Sequence, residues 1–105
     1  MIRVMLDLEL VSKNGNTVIT CLKATRLISS SMLVINEFDI ELREQSITNI
    51  LINFNSWLST LGKKENIQIL GDWNSLDNVV LLDAYEVNQI TPHFGLIWQP
   101  FKLIV

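Results

Sequence analysis

One cysteine and one histidine occur in the 105 residues. Cys21 has no second cysteine to pair with, so no internal disulfide holds the fold, which fits a reducing compartment. A structural zinc site needs four Cys or His ligands and a catalytic one usually three plus water, more than Cys21 and His93 supply. Asp72, Asn74, Asp77 and Asp83 are spaced loosely like a calcium loop. Leu76 nevertheless stands where the third ligand belongs and no glycine follows it, so the stretch reads as an Asx-rich turn. No metal and no cofactor are expected. The four glycines are dispersed, and none opens a helix as a phosphate-binding loop would. Nucleophilic catalysis needs a nucleophile activated by an oriented base. Only His93, in a turn after Pro92, could be that base. No Gly-x-Ser-x-Gly elbow exists, and Cys21 sits mid-strand without a basic neighbour to lower its pKa. The chain is expected not to be an enzyme.

Charge is also scarce. Charged residues make up 18%, with eight Lys and Arg against eleven Asp and Glu and a net charge of -3. The basic residues are scattered, whereas a small duplex-binding module carries a basic face to displace counterions, so nucleic acid is not an expected partner. Cationic partners are weakly preferred. No apolar run reaches the roughly 18 to 20 residues of a membrane span. The N-terminus enters an alternating pattern at once, with Asp7 and Glu9 where the apolar core of a signal peptide would lie, so a cytoplasmic location is expected. Hydrophobic residues, 49% of the chain, suffice for one globular domain over 1–105 that buries roughly two-thirds of its unfolded surface.

The present residues organise around 46–61. Ile47, Ile50, Leu51, Phe54, Trp57, Leu58 and Leu61 recur at helical spacing and form one apolar face. Ser46 suits the N-cap and Gly62 the left-handed residue after the last turn. The flanking segments read as strands. Over 2–11 the even positions Ile2, Val4, Leu6, Leu8 and Leu10 are apolar, with Arg3, Asp7 and Glu9 between them. Asn14-Gly15-Asn16 is turn chemistry, and 18–28 resumes a strand. A three-residue loop sets Leu8 against Leu22, Leu6 against Ala24 and Asp7 against Lys23. A two-residue Asn14-Gly15 turn would mix polar and apolar residues on both faces, so hydrophobic matching favours the longer loop. Strands are further expected over 32–42, 67–70, 79–90 and 96–105. The parity of 79–90 is mixed, which predicts a bulge near 83–85. Pro100 lacks a donor and places the last strand at an edge or a bulge. The expected fold class is α+β, an antiparallel or mixed sheet of about six strands in the order βββαβββ with one long helix packed on one face.

Surfaces carry what functional signal there is. Glu37, Asp39 and Glu41 would project from one strand as an acidic row. Trp73, between Asp72 and Asn74 and followed by Asp77, is a large aromatic rimmed by polar groups, a combination enriched at binding hot spots. From 45 to 62 no residue is charged. The helix face away from the apolar stripe is built of Thr48, Asn49, Asn53, Asn55, Ser56, Ser59 and Thr60, with Ile52 on or near it, unlike the Lys- and Glu-rich surface of a solvent-only helix.

Phe54-Asn55-Ser56-Trp57-Leu58-Ser59-Thr60-Leu61 resembles the helix of some contact-dependent-inhibition immunity proteins, in which an aromatic precedes a Ser-Trp pair and Leu follows. Leu81-Leu82-Asp83-Ala84-Tyr85-Glu86 loosely fits a strand of the same group. Phe54 departs from the tyrosine of that pattern, and the likeness transfers no functional residue. It implies a small cytoplasmic binder that occludes a cognate toxin. The expected function is thus a non-enzymatic immunity or inhibitor protein whose Glu37, Asp39, Glu41, Asp72, Trp73 and Asp77 contact a basic protein partner. The alternative is a subunit of a larger assembly, such as a phage or secretion structure, or a homodimer formed through the uncharged helix face or the edge of the final strand.

Overall fold

The computed structural model describes residues 2–30, 33–43, 45–72, 77–95 and 98–101. Strands β1 (Ile2–Lys13) and β2 (Asn16–Ser30) form a long antiparallel hairpin. The inferred pairs Leu8 with Leu22, Leu6 with Ala24 and Asp7 with Lys23 are all present. They are reached differently from the expectation. The turn has two residues, Asn14 and Gly15, both at positive φ (54° and 79°), with Lys13 paired to Asn16. This is the backbone that a tight hairpin following the strand twist requires, and Asn-Gly supplies it at low cost. A bulge between Glu9 and Leu10 then absorbs one residue of β2, since Glu9 faces Cys21 while Leu10 faces Ile19. Thr20, the extra residue, donates its hydroxyl to the Glu9 carbonyl at 3.1 Å. The bulge explains the Val18-Ile19-Thr20-Cys21-Leu22 run, because parity flips there and both Ile19 and Leu22 turn inward.

Strand β3 (Leu33–Arg43) pairs antiparallel to β2, with Glu41 opposite Lys23 and Asp39 opposite Thr25. The next pair is Asn36 with Leu27, so Glu37 and Phe38 together face the single residue Arg26. Helix α1 (Ile47–Leu61) follows. Ser46 caps it, accepting from the Asn49 backbone N–H at 3.2 Å. The expected stripe is the core seam: Ile50, Leu51, Phe54 and Leu58 are fully buried, and Ile47, Trp57 and Leu61 pack against them. Gly62 does not take the left-handed role expected of it. Its φ of 161° is extended backbone, and a Cβ there would lie 2.5 Å from the Ile2 Cδ1. The helix end is held instead by His93, whose Nε2 lies 2.9 Å from the Gly62 carbonyl. A carbonyl only accepts, so this nitrogen donates.

A short 3-10 turn at Lys64–Asn66 leads to β4 (Ile67–Asp72), parallel to β1. The strand expected over 79–90 is instead helix α2, Asp77–Val87. Asp77, Leu81 and Tyr85 are buried and Val80, Ala84 and Asn88 partly so, a stripe at i, i+3, i+4, i+7, i+8 and i+11. Its end is a reciprocal pair of backbone bonds, Gln89 N–H to the Glu86 carbonyl and Ile90 N–H to the Tyr85 carbonyl, with Gln89 at φ 55°. That is the Schellman arrangement, built on glutamine where glycine is usual. The final strand expected over 96–105 is β5, Trp98–Phe101, parallel to β4. Positions 96–97 and 102–105 lie outside the described residues.

The fold is α+β with element order βββαβαβ: five strands in a mixed sheet, β3-β2-β1-β4-β5, and two helices, not six strands and one. Pro100 lies in β5, which is an edge strand, where a missing donor costs no ladder bond. Both parallel connections step in the same direction across the sheet, and right-handed crossovers then put both helices on one face. A single buried cluster joins them to Val4, Leu6 and Leu8 of β1, Leu22 and Ala24 of β2, Leu42 of β3 and Ile67 and Ile69 of β4. Arg3, Met5, Asp7, Glu9, Lys23, Glu41 and Arg43 are exposed on the opposite, open face. Among the described residues no helix is long and apolar enough to cross a membrane.

Candidate binding surface

Of the residues singled out from the sequence, Glu41 and Asp77 have described side chains and do not share a surface, while the side chains of Glu37, Asp39, Asp72 and Trp73 lie outside the described ones. Glu41 is exposed on the open face opposite Lys23, and Asp39 pairs with Thr25 in backbone register. The irregularity opposite Arg26 interrupts the alternation that was to carry the row on to Glu37. Glu41 is also engaged, accepting from the Arg43 Nε at 2.9 Å. Arg43 reaches Glu9 at 3.4 Å and Lys23 reaches Glu9 at 3.8 Å. The open face is thus a mixed-sign checkerboard across β1, β2 and β3, with Cys21 buried between Glu9 and Arg43. Exposed pairs of this kind hold little energy and present no field of one sign.

Asp72 ends β4 opposite Phe101 in backbone register, and Trp73 lies outside the described residues. Asp77 has a different job from the one expected. It opens α2, is 7% exposed, and accepts from the Leu8 backbone N–H at 3.1 Å. β4 covers β1 only from Ile2 to Met5, so the next stretch of β1 needs acceptors from elsewhere, and the Asp77 carboxylate provides one. A group committed inside the molecule is not a contact surface.

Part of the uncharged face of α1 makes internal hydrogen bonds. Asn55 accepts from the Tyr85 hydroxyl at 2.8 Å and from the His93 backbone N–H at 3.0 Å, and donates to the Thr91 carbonyl at 2.9 Å. Thr48 donates to the Asn88 amide oxygen at 3.0 Å, and Asn53 donates to Gln45 at 2.8 Å. The bonds of Asn55 and Thr48 fasten α1 to α2 and to the 91–95 turn. Gly95 ties the same turn to β4, donating to the Ile67 carbonyl at 2.9 Å. Tyr85 also meets Phe94 edge-on, with ring centroids 5.8 Å apart. Burial pushes the Tyr85 phenol above its ordinary pKa range, because the phenolate would lose its hydration.

Helix α2 is the opposite case. Its outward residues include Val79, 60% exposed, Leu82, 40%, and Val87, 71%. Among them stand Asp83 and Glu86, both exposed, whose carboxylates make no ion pair or hydrogen bond with another described residue, and α2 carries no basic residue at all. The sheet and α1 cover the inner side of α2, and no described residue covers Val79, Leu82 and Val87. Among the described residues no three His, Cys, Asp or Glu side chains lie together as metal ligands would. His93 is engaged at the end of α1, and Cys21 lies across the sheet on the open face.

Reading 79–90 as a strand hid this surface. The signal was present in the spacing Asp77, Val80, Leu81, Ala84, Tyr85 and Asn88, obscured because half of these residues are polar or small. No family model matches the chain, and no curated protein matches it.

Proposed function

We propose that the protein is a non-enzymatic binding protein of the immunity or inhibitor type, which occludes a basic protein partner with the outer face of α2. The observation that carries this reading is the solvent-facing set Val79, Leu82 and Val87 interleaved with the acids Asp83 and Glu86, which pair with no described cation. An apolar centre with a polar rim is how hot spots are built, and the negative sign selects a cationic counterpart. The open face supports the same assignment from the other direction, since Glu9 and Glu41 there are paired with Lys23 and Arg43. The test is retention of a basic protein by the immobilised chain. Leu82→Ser with Asp83→Lys should weaken retention by about 2 kcal/mol or more, some thirtyfold, while Asp7→Lys on the open face leaves it intact. Equal retention by both variants contradicts the assignment to α2.

A second reading, as a subunit of a larger assembly, draws on β3. This strand is an 11-residue sheet edge, and among the described residues no backbone hydrogen bond crosses its outer side. Long open edges accept a further strand. Light scattering at high concentration separates the two: a monomer supports the binder, and a dimer or larger species supports assembly.

A further inference from the structure

Between the distal end of the β1–β2 hairpin and α2 lies a groove of about 190 Å³. Its walls are mostly apolar, formed by Val18 and Ile19 from the bulged part of β2 and by Val80, Ala84 and Val87 of α2. Ile19 is buried, Val18, Val80 and Ala84 are half-buried, and Val87 stands at the mouth. Among the described residues Asp83 is the one ionisable side chain that lines the groove, beside the neutral polar Thr17 and Asn88, and no described cation neutralises it. The bulge at Thr20 helps to make this wall: it is where β2 changes parity, bringing Ile19 to the helix side.

We infer that this groove is the anchor site for one lysine or arginine side chain of the protein partner, its methylene stem against Val18, Val80, Ala84 and Val87 and its cationic head on the Asp83 carboxylate. A largely apolar groove with one exposed acid on its wall matches a side chain that is itself apolar along its stem and charged at its tip. A carboxylate in such a slot binds a cation more strongly than one on a flat surface, because the walls displace water on binding and strengthen the charge-assisted hydrogen bond. An aliphatic side chain would leave the Asp83 carboxylate desolvated and unpaired, and an acidic one would be repelled. The inference rests on the reading of α2 as the binding face, and it adds the chemistry of the contact. It also gives the bulge a role beyond register, as the feature that shapes the groove wall.

The test needs no partner. The full chain, isotopically labelled, is titrated with butylguanidinium and separately with butyramide, a neutral molecule of similar length, and backbone amide shifts are followed by NMR. Butylguanidinium should move the amides of Val18, Ile19, Val80, Ala84 and Val87 in a saturable way. Asp83→Asn should weaken it about tenfold, as expected for loss of one charge-assisted hydrogen bond. Glu86→Gln, on the same helix but outside the groove, should change it less than about twofold, within the range of screened surface charge. Three results would each overturn the inference: butyramide moving the same amides as strongly, Asp83→Asn without effect, or Glu86→Gln as damaging as Asp83→Asn. Any of them alongside a partner that still depends on Leu82 would remove the groove and leave the α2 surface standing.

Discussion

Helices α1 and α2 lie on the same face of one sheet, share one buried cluster and touch each other, yet they relate to solvent in opposite ways. α1 has no charged residue, and part of its polar face is turned to use inside the molecule: Asn55 holds Tyr85, Thr91 and His93 while Thr48 holds Asn88. α2 has a polar residue, Asp77, in its buried stripe and apolar residues on its outer side. An uncharged helix face therefore need not be an interface, because some of its polar side chains bind one part of the fold to another. An apolar outer face beside acids that pair with no described cation has no such internal account.

The contrast breaks most visibly if α1 is not the seam. Phe54→Ala should cost about 3–5 kcal/mol in denaturant unfolding, since Phe54 is fully buried and stacks near Trp57 with ring centroids 6.2 Å apart. A loss under about 1 kcal/mol would mean that the site collapses freely and the seam lies elsewhere. Next in size is Asn55→Ala, expected to cost about 1–3 kcal/mol by stranding the Tyr85 hydroxyl and two backbone groups. Part of that loss should vanish in the Tyr85→Phe background; full additivity would show the two side chains to be uncoupled.

Tyr85 also sharpens the comparison through pH. Its phenol is held neutral by burial, whereas the unfolded phenol ionises near about pH 10. Above that value the unfolded state has lost a proton that the folded state retains, so stability should fall as pH rises, with no contribution from this group below it. Tyr85→Phe should flatten the alkaline slope, and an unchanged slope would assign it to other groups. Gln89→Gly at the end of α2 should raise stability by about 0.5–1 kcal/mol, because glycine takes a φ of 55° without the penalty of a side chain. The smallest expected effect is the most telling: Leu82→Ser should shift stability by no more than about 0.5 kcal/mol while weakening partner binding. A large loss of stability would make Leu82 a core residue and not a contact.

Much of the fold can be read in the residues. Alternation over β1 and helical periodicity over α1 are clean because one face of each is apolar and the other polar. The pairing of Leu8 with Leu22 follows from hydrophobic matching even though the path to it, a two-residue turn and then a bulge, does not. Matching constrains the middle of a hairpin, where side chains meet in the core, and says nothing of where an offset residue is absorbed. α2 was hidden for the converse reason. Its inward stripe uses Asp77, Ala84 and Asn88, its outward side uses Val79, Leu82 and Val87, and its stop is Gln89 and not glycine. Asp77 looked like a turn acid for contact because the uncovered Leu8 N–H it serves lies 69 positions away in sequence. The contact face was illegible with the helix, since exposure on α2 has meaning only once α2 is known to be a helix.

The central claim is that α2, not α1, meets the partner, and it is most directly tested by site-specific photo-crosslinking in the producing cell. A photoreactive residue is placed at Leu82 of α2 or at Ile52 of α1, one exposed apolar residue of each helix at 40% and 47%. The account predicts a discrete crosslink to a basic protein from Leu82 and none from Ile52. A crosslink from Ile52 without one from Leu82 would contradict it.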